Sequence, residues 1–284
     1  MIDLDYLYKE LQQNGDIDFI ILVFLSYQIR KMQNKLYSSD DYIPQNLIMM
    51  YFSSNYRIDF KNIISNFKDK YIYNENEIEN VYNEYERAGI SEVYNYIEEK
   101  ENDKCLNIYV ILIIHQLLYS KVPYKEFGGK FRNSSACISN SDVRTTEPEN
   151  ISKEIAALYD YYQNLLELSL EVNKSLEVNL LMLYIDKVIE LKCKLVEIHP
   201  FFDGNGRTFR ALTNLLFRKV NLPPIYVKKE EKETYINAMD SAIRLNDLSL
   251  IRKFYYYKIC DSIIELDLSE KVKDDDLIFK VFSI

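Results

Sequence analysis

The chain has 284 residues, of which 48% are apolar, and its formal net charge is −9. That length is enough for one large domain or two smaller ones, and the apolar content excludes a disordered chain. The acidic balance argues against a nucleic-acid partner, because nucleic-acid-binding proteins carry a basic surface. A local cluster of arginines can still bind a small anion.

The four cysteines are widely separated, with no C-x-x-C spacing, and only two histidines are present. This pattern argues against a zinc site, so we expect buried free thiols in a reducing compartment. The N-terminus lacks the basic start and apolar run of a signal peptide, and no apolar run is long enough to cross a bilayer. We therefore expect a cytoplasmic protein with no membrane partner, and delivery as a secreted effector stays open.

Helical spacing dominates the chain, and its six glycines and six prolines rarely interrupt it, which predicts a mostly α fold. Residues 3–37 and 45–68 are predicted to form amphipathic helices. The acidic stretch 74–89 is predicted to form a helix that ends at Gly89, because glycine often closes helices in a left-handed conformation. A further helix is predicted over 91–102.

Residues 126–150 are rich in Ser, Asn, Thr and Gly without a helical period, which predicts a β-hairpin or a long loop. Helical spacing returns in 151–171 and again in 178–198. Two later segments each predict one buried helix face, the first with Leu181, Tyr184, Ile185, Val188, Leu191 and Leu195, the second with Phe209, Leu212, Leu216 and Val220.

The stretch "HPFFDGNGRTFR" (199–210) connects these two predicted helices. Gly204 and Gly206 lie at the start of the second helix, where backbone N–H groups without internal partners favour an anion. Arg207 and Arg210 are three positions apart and share the face of the first helical turn, where guanidinium groups can bind phosphate. Asn205 adds an amide to the same loop.

Two further residues of this stretch supply reactive chemistry. Asp203 offers the hard oxygen ligand by which Mg²⁺ is usually held beside a polyphosphate. His199 is a usable proton acceptor near neutral pH. Phe201 is expected to anchor the loop in the core, and His115, within an apolar helix, to be a packed, hydrogen-bonded histidine. The combination predicts phosphoryl or nucleotidyl transfer.

The same stretch resembles the Fic family signature H-x-F-x-(D/E)-G-N-G-R-x-x-R at every specified position. "GKFR" (129–132) resembles the entry to the family's flap, and the resemblance covers about residues 104–260. It implies a mostly α, Fic-type helical bundle with a short β-hairpin flap. The implied organisation is an N-terminal helical region over 1–100, a catalytic core over 101–262 and a C-terminal tail over 263–284.

The resemblance also implies an enzyme, a protein adenylyltransferase that transfers AMP from ATP to a Ser, Thr or Tyr hydroxyl of a target protein. By position, His199 would deprotonate the hydroxyl and Asp203 would bind Mg²⁺ at the α- and β-phosphates. The flap near 131–146 would align the target segment by strand-like pairing. The remaining motif residues would bind the phosphates, with Gly204, Asn205 and Gly206 as the anion hole, Arg207 on the phosphates and Arg210 on the γ-phosphate.

An element resembling the family's inhibitory helix, (S/T)-x-x-x-E-(G/N), lies within the predicted helix 74–88. Ile78, Glu79 and Asn80 match its end, and Glu75 stands where Ser or Thr is expected. The resemblance implies that Glu79 pairs with Arg210 and opposes productive ATP binding. In some relatives this glutamate also supports removal of AMP.

Other functions remain open on the sequence alone. Fic relatives transfer UMP, phosphocholine or phosphate, so another donor is an alternative within the enzyme class. A nucleotide-sensing regulatory protein with an occluded site is the alternative from another class, although it has no need for His199 as a base. A homodimer is expected only by analogy with relatives.

Overall fold

The computed structural model describes residue 48 and residues 60–100, 103, 105–138, 141–175 and 177–271. The mostly α fold predicted from the sequence is confirmed in this part of the chain. The predicted helix over 3–37, most of that over 45–68, and the tail beyond 271 lie outside the described residues. The helices are α1 (Phe60–Glu77), α2 (Glu84–Lys100), α3 (Val110–Leu118), α4 (Ile151–Ala157), α5 (Tyr159–Ser175), α6 (Val178–Ile198), α7 (Asn205–Lys219), α8 (Lys232–Arg244) and α9 (Ser249–Lys271).

Helices α6 and α7 form the centre of the bundle. Every residue of the two predicted apolar faces is buried, which confirms both predictions. Helix α7 packs against α2, α3 and α6 at once, so that nearly all of its side chains, including its first-turn arginines, are enclosed. The fold therefore places two positive charges where only partners within the protein or a bound anion can balance them.

The predicted helix over 74–88 is wrong, because α1 ends at Glu77 and α2 begins only at Glu84. Asn80 takes a left-handed φ of 55°, and the N–H of Val81 donates to the carbonyl of Asn76 at 2.9 Å. This Schellman arrangement satisfies the last carbonyls of α1 and turns the chain away. Glu79 consequently lies in the turn between two helices.

Gly89 does not end a helix but lies buried inside α2. A β-carbon at Gly89 would lie 2.0 Å from the backbone carbonyl oxygen of Leu118 at the end of α3. The glycine is therefore required for the close approach of α2 to α3. The sequence reading of Gly89 as a helix terminator was wrong because this contact is made across the fold.

The predicted helix over 151–171 is divided at Leu158, where α4 ends and α5 begins. Between 126 and 150 the chain forms a loop with two 3₁₀ turns, Lys125–Phe127 and Pro148–Asn150. Its described residues contain one antiparallel bridge, between Cys137 and Arg144, and no β-strand. The β-hairpin flap is thus not found there, and the alternative of a long loop fits.

All four cysteines are free thiols, as expected. Cys193 and Cys260 are buried, but Cys105 and Cys137 are exposed, so the expectation of four buried thiols is wrong for these two. In the described part of the chain, no helix is both long and apolar enough to cross a membrane. Helix α9 extends beyond residue 262, and the division into three regions stays a prediction.

Candidate active site

The loop from His199 to Gly204 is fixed by left-handed residues at both ends and by one internal clamp. His199 ends α6 with φ 50°, and Gly204 precedes α7 with φ 76°. The side chain of Asn205 accepts a hydrogen bond from the N–H of Phe201 at 3.0 Å and donates one to its carbonyl at 2.8 Å. Since both ends of this amide are occupied, the backbone N–H groups of the first turn of α7 are the donors that face an anion there.

His115 is a packed core histidine that contacts the loop between α6 and α7. Its ring stacks on Phe201, with the ring centres 3.9 Å apart and the planes within 6°. Its Nδ1 accepts the N–H of Gly129 and its Nε2 donates to the carbonyl of Asp203, each at 2.9 Å. Burial lowers the pKa of His115 to about 4, so the neutral ring is the form that joins the loop to α3.

The carboxylate of Asp203 is held in place but accessible, with 70% of its side chain exposed. Its Oδ2 accepts hydrogen bonds from the hydroxyl of Tyr119 at 2.7 Å and from Arg207 at 3.2 Å. Partial burial alone would raise the pKa of Asp203, but the Tyr119 hydrogen bond and the Arg207 charge hold it below its usual value. Asp203 is therefore a fixed anion at the opening of the site.

Arg207, which the sequence assigned to phosphate binding, is buried and pairs with Glu86 of α2. Its Nη1 donates to Glu86 Oε2 at 2.5 Å. The other oxygen of Glu86 accepts hydrogen bonds from Asn83 at 2.9 Å and from the hydroxyl of Tyr124 at 3.1 Å. Asn83 and Tyr124 thus hold Glu86, and Glu86 in turn fixes the orientation of this arginine.

Arg210, the second arginine of the motif, pairs with two carboxylates from the end of α1. Its Nη2 donates to Glu79 Oε1 and its Nε to Glu75 Oε2, each at 2.7 Å. The structure thus brings together the two residues that the sequence predicted to pair. Burial would raise the pKa of Glu79, but the Arg210 charge and hydrogen bond lower it, so Glu79 is ionised.

Glu79 also lies over the start of α7. A β-carbon at Gly206 would be 2.7 Å from Glu79 Oε1 and 3.0 Å from Arg210 Nη1. The turn that carries Glu79 is held by Lys232 of α8, which donates to the carbonyl of Ile78 at 2.5 Å. A carboxylate is therefore placed beside the predicted anion hole by contacts from two helices.

His199 lies at the start of the loop, where Arg132 contacts its backbone. The Nε of Arg132 donates to the carbonyl of His199 at 2.7 Å, and its other nitrogens bond to the carbonyls of Ser134 and Thr146. Burial and the Arg132 charge lower the pKa of the His199 imidazole. His199 is therefore neutral at physiological pH and able to accept a proton.

Four side chains of this site were not predicted as binding groups: Tyr119, Glu86, Glu75 and Arg132. Arg132 belongs to the quoted segment "GKFR", whose match to a flap entry was the one signal that could have singled it out. Tyr119 and Glu86 carry no local signal, because each reaches the motif from a different helix. Glu75 was noted only as a departure from an expected Ser or Thr.

This geometry can be compared with known proteins. Residues 105–217 match the model described as Fic/DOC family. These residues form a Fic/DOC-family domain. The Fic domain contains His199, the loop that follows it and both arginines, whereas Glu75, Glu79 and Glu86 precede it.

The chain is similar to protein adenylyltransferases named Fic. It is 28% identical over 159 residues to the one from Nematostella vectensis, covering 55% of this chain and 34% of that protein. It is 45% identical over 49 residues to the one from Drosophila grimshawi, covering 17% of this chain and 10% of that protein. The chain thus spans about a third or less of these relatives.

Two solved structures share the fold at low sequence identity. Fic-1 from C. elegans has a TM-score of 0.62 at 16% identity, covering 93% of this chain and 92% of that one. A Fic-domain signaling protein from Bacteroides thetaiotaomicron has a TM-score of 0.59 at 18% identity, covering 82% and 94%. The likeness establishes a Fic-type helical fold that extends beyond the Fic domain itself.

Proposed function

We propose that this protein transfers AMP from ATP to a Ser, Thr or Tyr hydroxyl of a target protein, and that Glu79 inhibits the transfer. One arrangement carries the proposal. A neutral histidine and an ionised aspartate lie on the loop before α7, and α7 begins with two arginines, the second of which is bound by the carboxylate of Glu79. The similarity to adenylyltransferases supports the choice of AMP among the nucleotides.

The phosphates of ATP would bind at the first turn of α7. The backbone N–H groups of Asn205, Gly206 and Arg207 lack acceptors within the helix and form the positive end of its dipole. The guanidinium groups of Arg207 and Arg210 add positive charge at this end of the helix. These groups would stabilise the negative charge on the phosphate oxygens during transfer.

Asp203 fits a Mg²⁺ ion that is held jointly with phosphate oxygens. It is the exposed, ionised carboxylate at the mouth of the site, and the described residues contain no group of three acidic, histidine or cysteine ligands. Mg²⁺ is commonly bound by one or two carboxylates plus the substrate's phosphates, and when bound it would neutralise phosphate charge. Tyr119 and Arg207 would keep the carboxylate oriented.

His199 would act as the general base. It would take the proton of the target hydroxyl as that oxygen bonds to the α-phosphorus. The bond from the α-phosphorus to the bridging oxygen would break, and pyrophosphate would leave. The depressed pKa of His199 keeps the ring neutral and ready for this proton at physiological pH. We expect the target segment to lie along the loop near 131–146.

Autoinhibition would follow from competition for Arg210. Glu79 and the γ-phosphate are both anions that need the same guanidinium, and Glu79 is bound to the chain at a high effective concentration. With Glu79 in place, ATP would bind in a position that does not favour attack on the α-phosphorus. The contact of Glu79 with Arg210 supports this reading of the turn after α1.

The test compares nucleotide donors on the wild type, Glu79→Gly and the double variant Glu79→Gly/His199→Ala. Each protein is incubated with Mg²⁺ and labelled ATP, CTP, UTP, GTP or CDP-choline, and the mass added to protein is measured. We expect Glu79→Gly to gain AMP from ATP and the double variant to gain nothing while binding ATP as before. Loss of ATP binding with His199→Ala would indicate a structural histidine.

The same experiment decides among the alternatives. ATP binding without any transfer by Glu79→Gly would favour a nucleotide-sensing protein. Transfer from another donor would place the protein in a different branch of Fic enzymes. Incubation of the modified protein without ATP, with and without Glu79, tests removal of AMP, and the oligomeric state in solution tests the expected homodimer.

A further inference from the structure

The guanidinium of Arg210 binds two carboxylates that differ in their exposure to solvent. Glu79 reaches Nη2 from the turn after α1, and its side chain is 31% exposed. Glu75 lies one helical turn earlier, accepts the hydrogen bond of Nε, and is only 1% exposed. One carboxylate is therefore open to exchange with an anion from solvent, while the other is enclosed.

Glu75 depends on Arg210 to remain charged. Burial raises the pKa of Glu75, and the Arg210 charge and hydrogen bond oppose that rise. The other nearby basic side chain is Lys192, whose pKa is lowered by burial, and it donates its hydrogen bond to the hydroxyl of Tyr255 instead. Separating a buried ion pair leaves an uncompensated charge, which is far less favourable than breaking an exposed pair. We therefore expect the Glu75–Arg210 pair to persist when Glu79 leaves.

The orientation of the guanidinium gives this pair a consequence for binding. Nε points to Glu75, while Nη1 lies beside Gly206 at the start of α7. Because the guanidinium is a rigid plane, fixing Nε also fixes the direction of both Nη groups. Glu75 thereby directs the phosphate-binding edge of Arg210 toward the predicted anion hole.

We propose that Glu75 is a positioning residue for phosphate binding and that only Glu79 is the displaceable inhibitor. The end of α1 then carries a fixed carboxylate that orients Arg210 and an exchangeable one that blocks it. The proposal rests on the proposed function, because it assigns Arg210 to the phosphates of the nucleotide. It also explains why an acidic residue stands where the inhibitory pattern has Ser or Thr.

Arg207 provides a parallel within the same site. It too is buried and bonded to an enclosed carboxylate, Glu86, whose side chain is 11% exposed. Each motif arginine therefore has one buried acidic partner from the α1–α2 pair. The side chain of Glu79 is more exposed than that of either buried partner, at 31% against 11% for Glu86 and 1% for Glu75.

The test is made in the Glu79→Gly background, where Arg210 is free to bind phosphate. Glu75→Ala and Glu75→Gln are compared with the parent by initial rates of AMP transfer at varied ATP and by calorimetric titration with Mg·ATP. We expect Glu75→Ala to raise KM and Kd for ATP about tenfold with a smaller loss of kcat, since it misplaces a binding group. Glu75→Gln should restore much of the affinity, because its amide oxygen can still accept the Nε hydrogen bond.

Glu77→Ala is the matched control. Glu77 lies on the same helix end but pairs with Lys229 away from the arginines, at 3.5 Å, so the affinity for ATP should not change. If Glu75→Ala does not fold, the Glu75→Gln variant is measured instead, by hydrogen exchange of the Arg210 Nε proton. That proton should remain protected in Glu79→Gly with and without Mg·ATP, and exchange somewhat faster when Glu75→Gln is added, because a neutral amide oxygen accepts a weaker hydrogen bond than a carboxylate does.

Two outcomes would overturn the positioning role. Unchanged or tighter ATP binding by Glu75→Ala in the Glu79→Gly background would contradict a positioning role for Glu75. Activation by Glu75→Ala in the wild-type background would instead make Glu75 a second inhibitor. Failure of the proposed function is separate. If Glu79→Gly binds ATP but transfers no AMP, the function is wrong, while the loss of affinity on removing Glu75 still supports positioning.

Discussion

Glu79 Oε1 and Arg210 Nη2 are joined by a 2.7 Å hydrogen bond between residues 131 positions apart in the sequence. The bond brings the turn after α1 against the first turn of α7 and occupies an arginine that the proposed reaction needs. The ion pair is partly exposed at Glu79 and buried at Arg210. Its strength therefore sets how readily an incoming phosphate replaces the carboxylate.

Glu79→Gly should raise ATP-dependent self-modification by about tenfold or more, equivalent to ~1.4 kcal/mol. The reason is that Arg210 loses the competitor and becomes available to the γ-phosphate. The measurement is the initial rate of label incorporated from ATP in the presence of Mg²⁺. Glu77→Gly makes the same change two residues away without touching Arg210, and equal activation by both variants would contradict the assignment.

Arg132→Gln should move the acid limb of the pH–rate profile to higher pH. The base must be unprotonated, so kcat/KM rises with pH through the His199 pKa, which burial and Arg132 depress. Removing the cation lets that pKa return toward the usual value of about 6.5. The profile is measured with Glu79→Gly as the parent. Arg144→Gln alters an exposed arginine of the same loop, and a limb that moves equally there would rule out the specific effect.

His115 should make the folded state less stable at acid pH. Its pKa is about 4 when folded, below the value of about 6.5 expected when unfolded, so the unfolded chain binds the extra proton between these values. Stability from this group is present above pH 6.5 and is lost as pH falls toward 4, by about 2 kcal/mol at pH 5.

The measurement for His115 is urea unfolding at pH 8 and pH 5, compared between the wild type and His115→Asn. Carboxylates that titrate in this range contribute equally to both proteins, so the difference isolates the histidine. We expect a smaller loss of stability in the variant. The same loss in both would show that His115 is protonated in the folded state without penalty.

Gly89→Ala should destabilise the protein by about 3 kcal/mol, although alanine is usually favoured over glycine inside a helix by about 1 kcal/mol. The added β-carbon would lie 2.0 Å from the carbonyl oxygen of Leu118 and force α2 away from α3. Chemical unfolding measures the change. Ala88→Gly, at the exposed neighbouring position, should cost only about 1 kcal/mol, and a neutral Gly89→Ala would disprove the tight contact.

The buried helix faces and the reactive loop could be predicted because their signals are local. The apolar residues of α6 and α7 recur every three or four positions, which is the period of a helix face. Gly204 and Asn205 act at the helix start through contacts within a few residues, as the Asn205–Phe201 clamp does. Local spacing failed at Gly89, where a contact to another helix decided the residue type.

Sequence alone determined that this is a mostly helical chain with a Fic-type motif at 199–210, because helix periodicity and helix-start chemistry are encoded in neighbouring residues. Only the tertiary structure decided which groups meet that motif: Glu75 and Glu79 at Arg210, Glu86 at Arg207 and Arg132 at His199. The physical reason is that these partners are 67 to 135 positions away, and only the packing of α1, α2 and the 126–150 loop against α6 and α7 brings the charges within bonding distance.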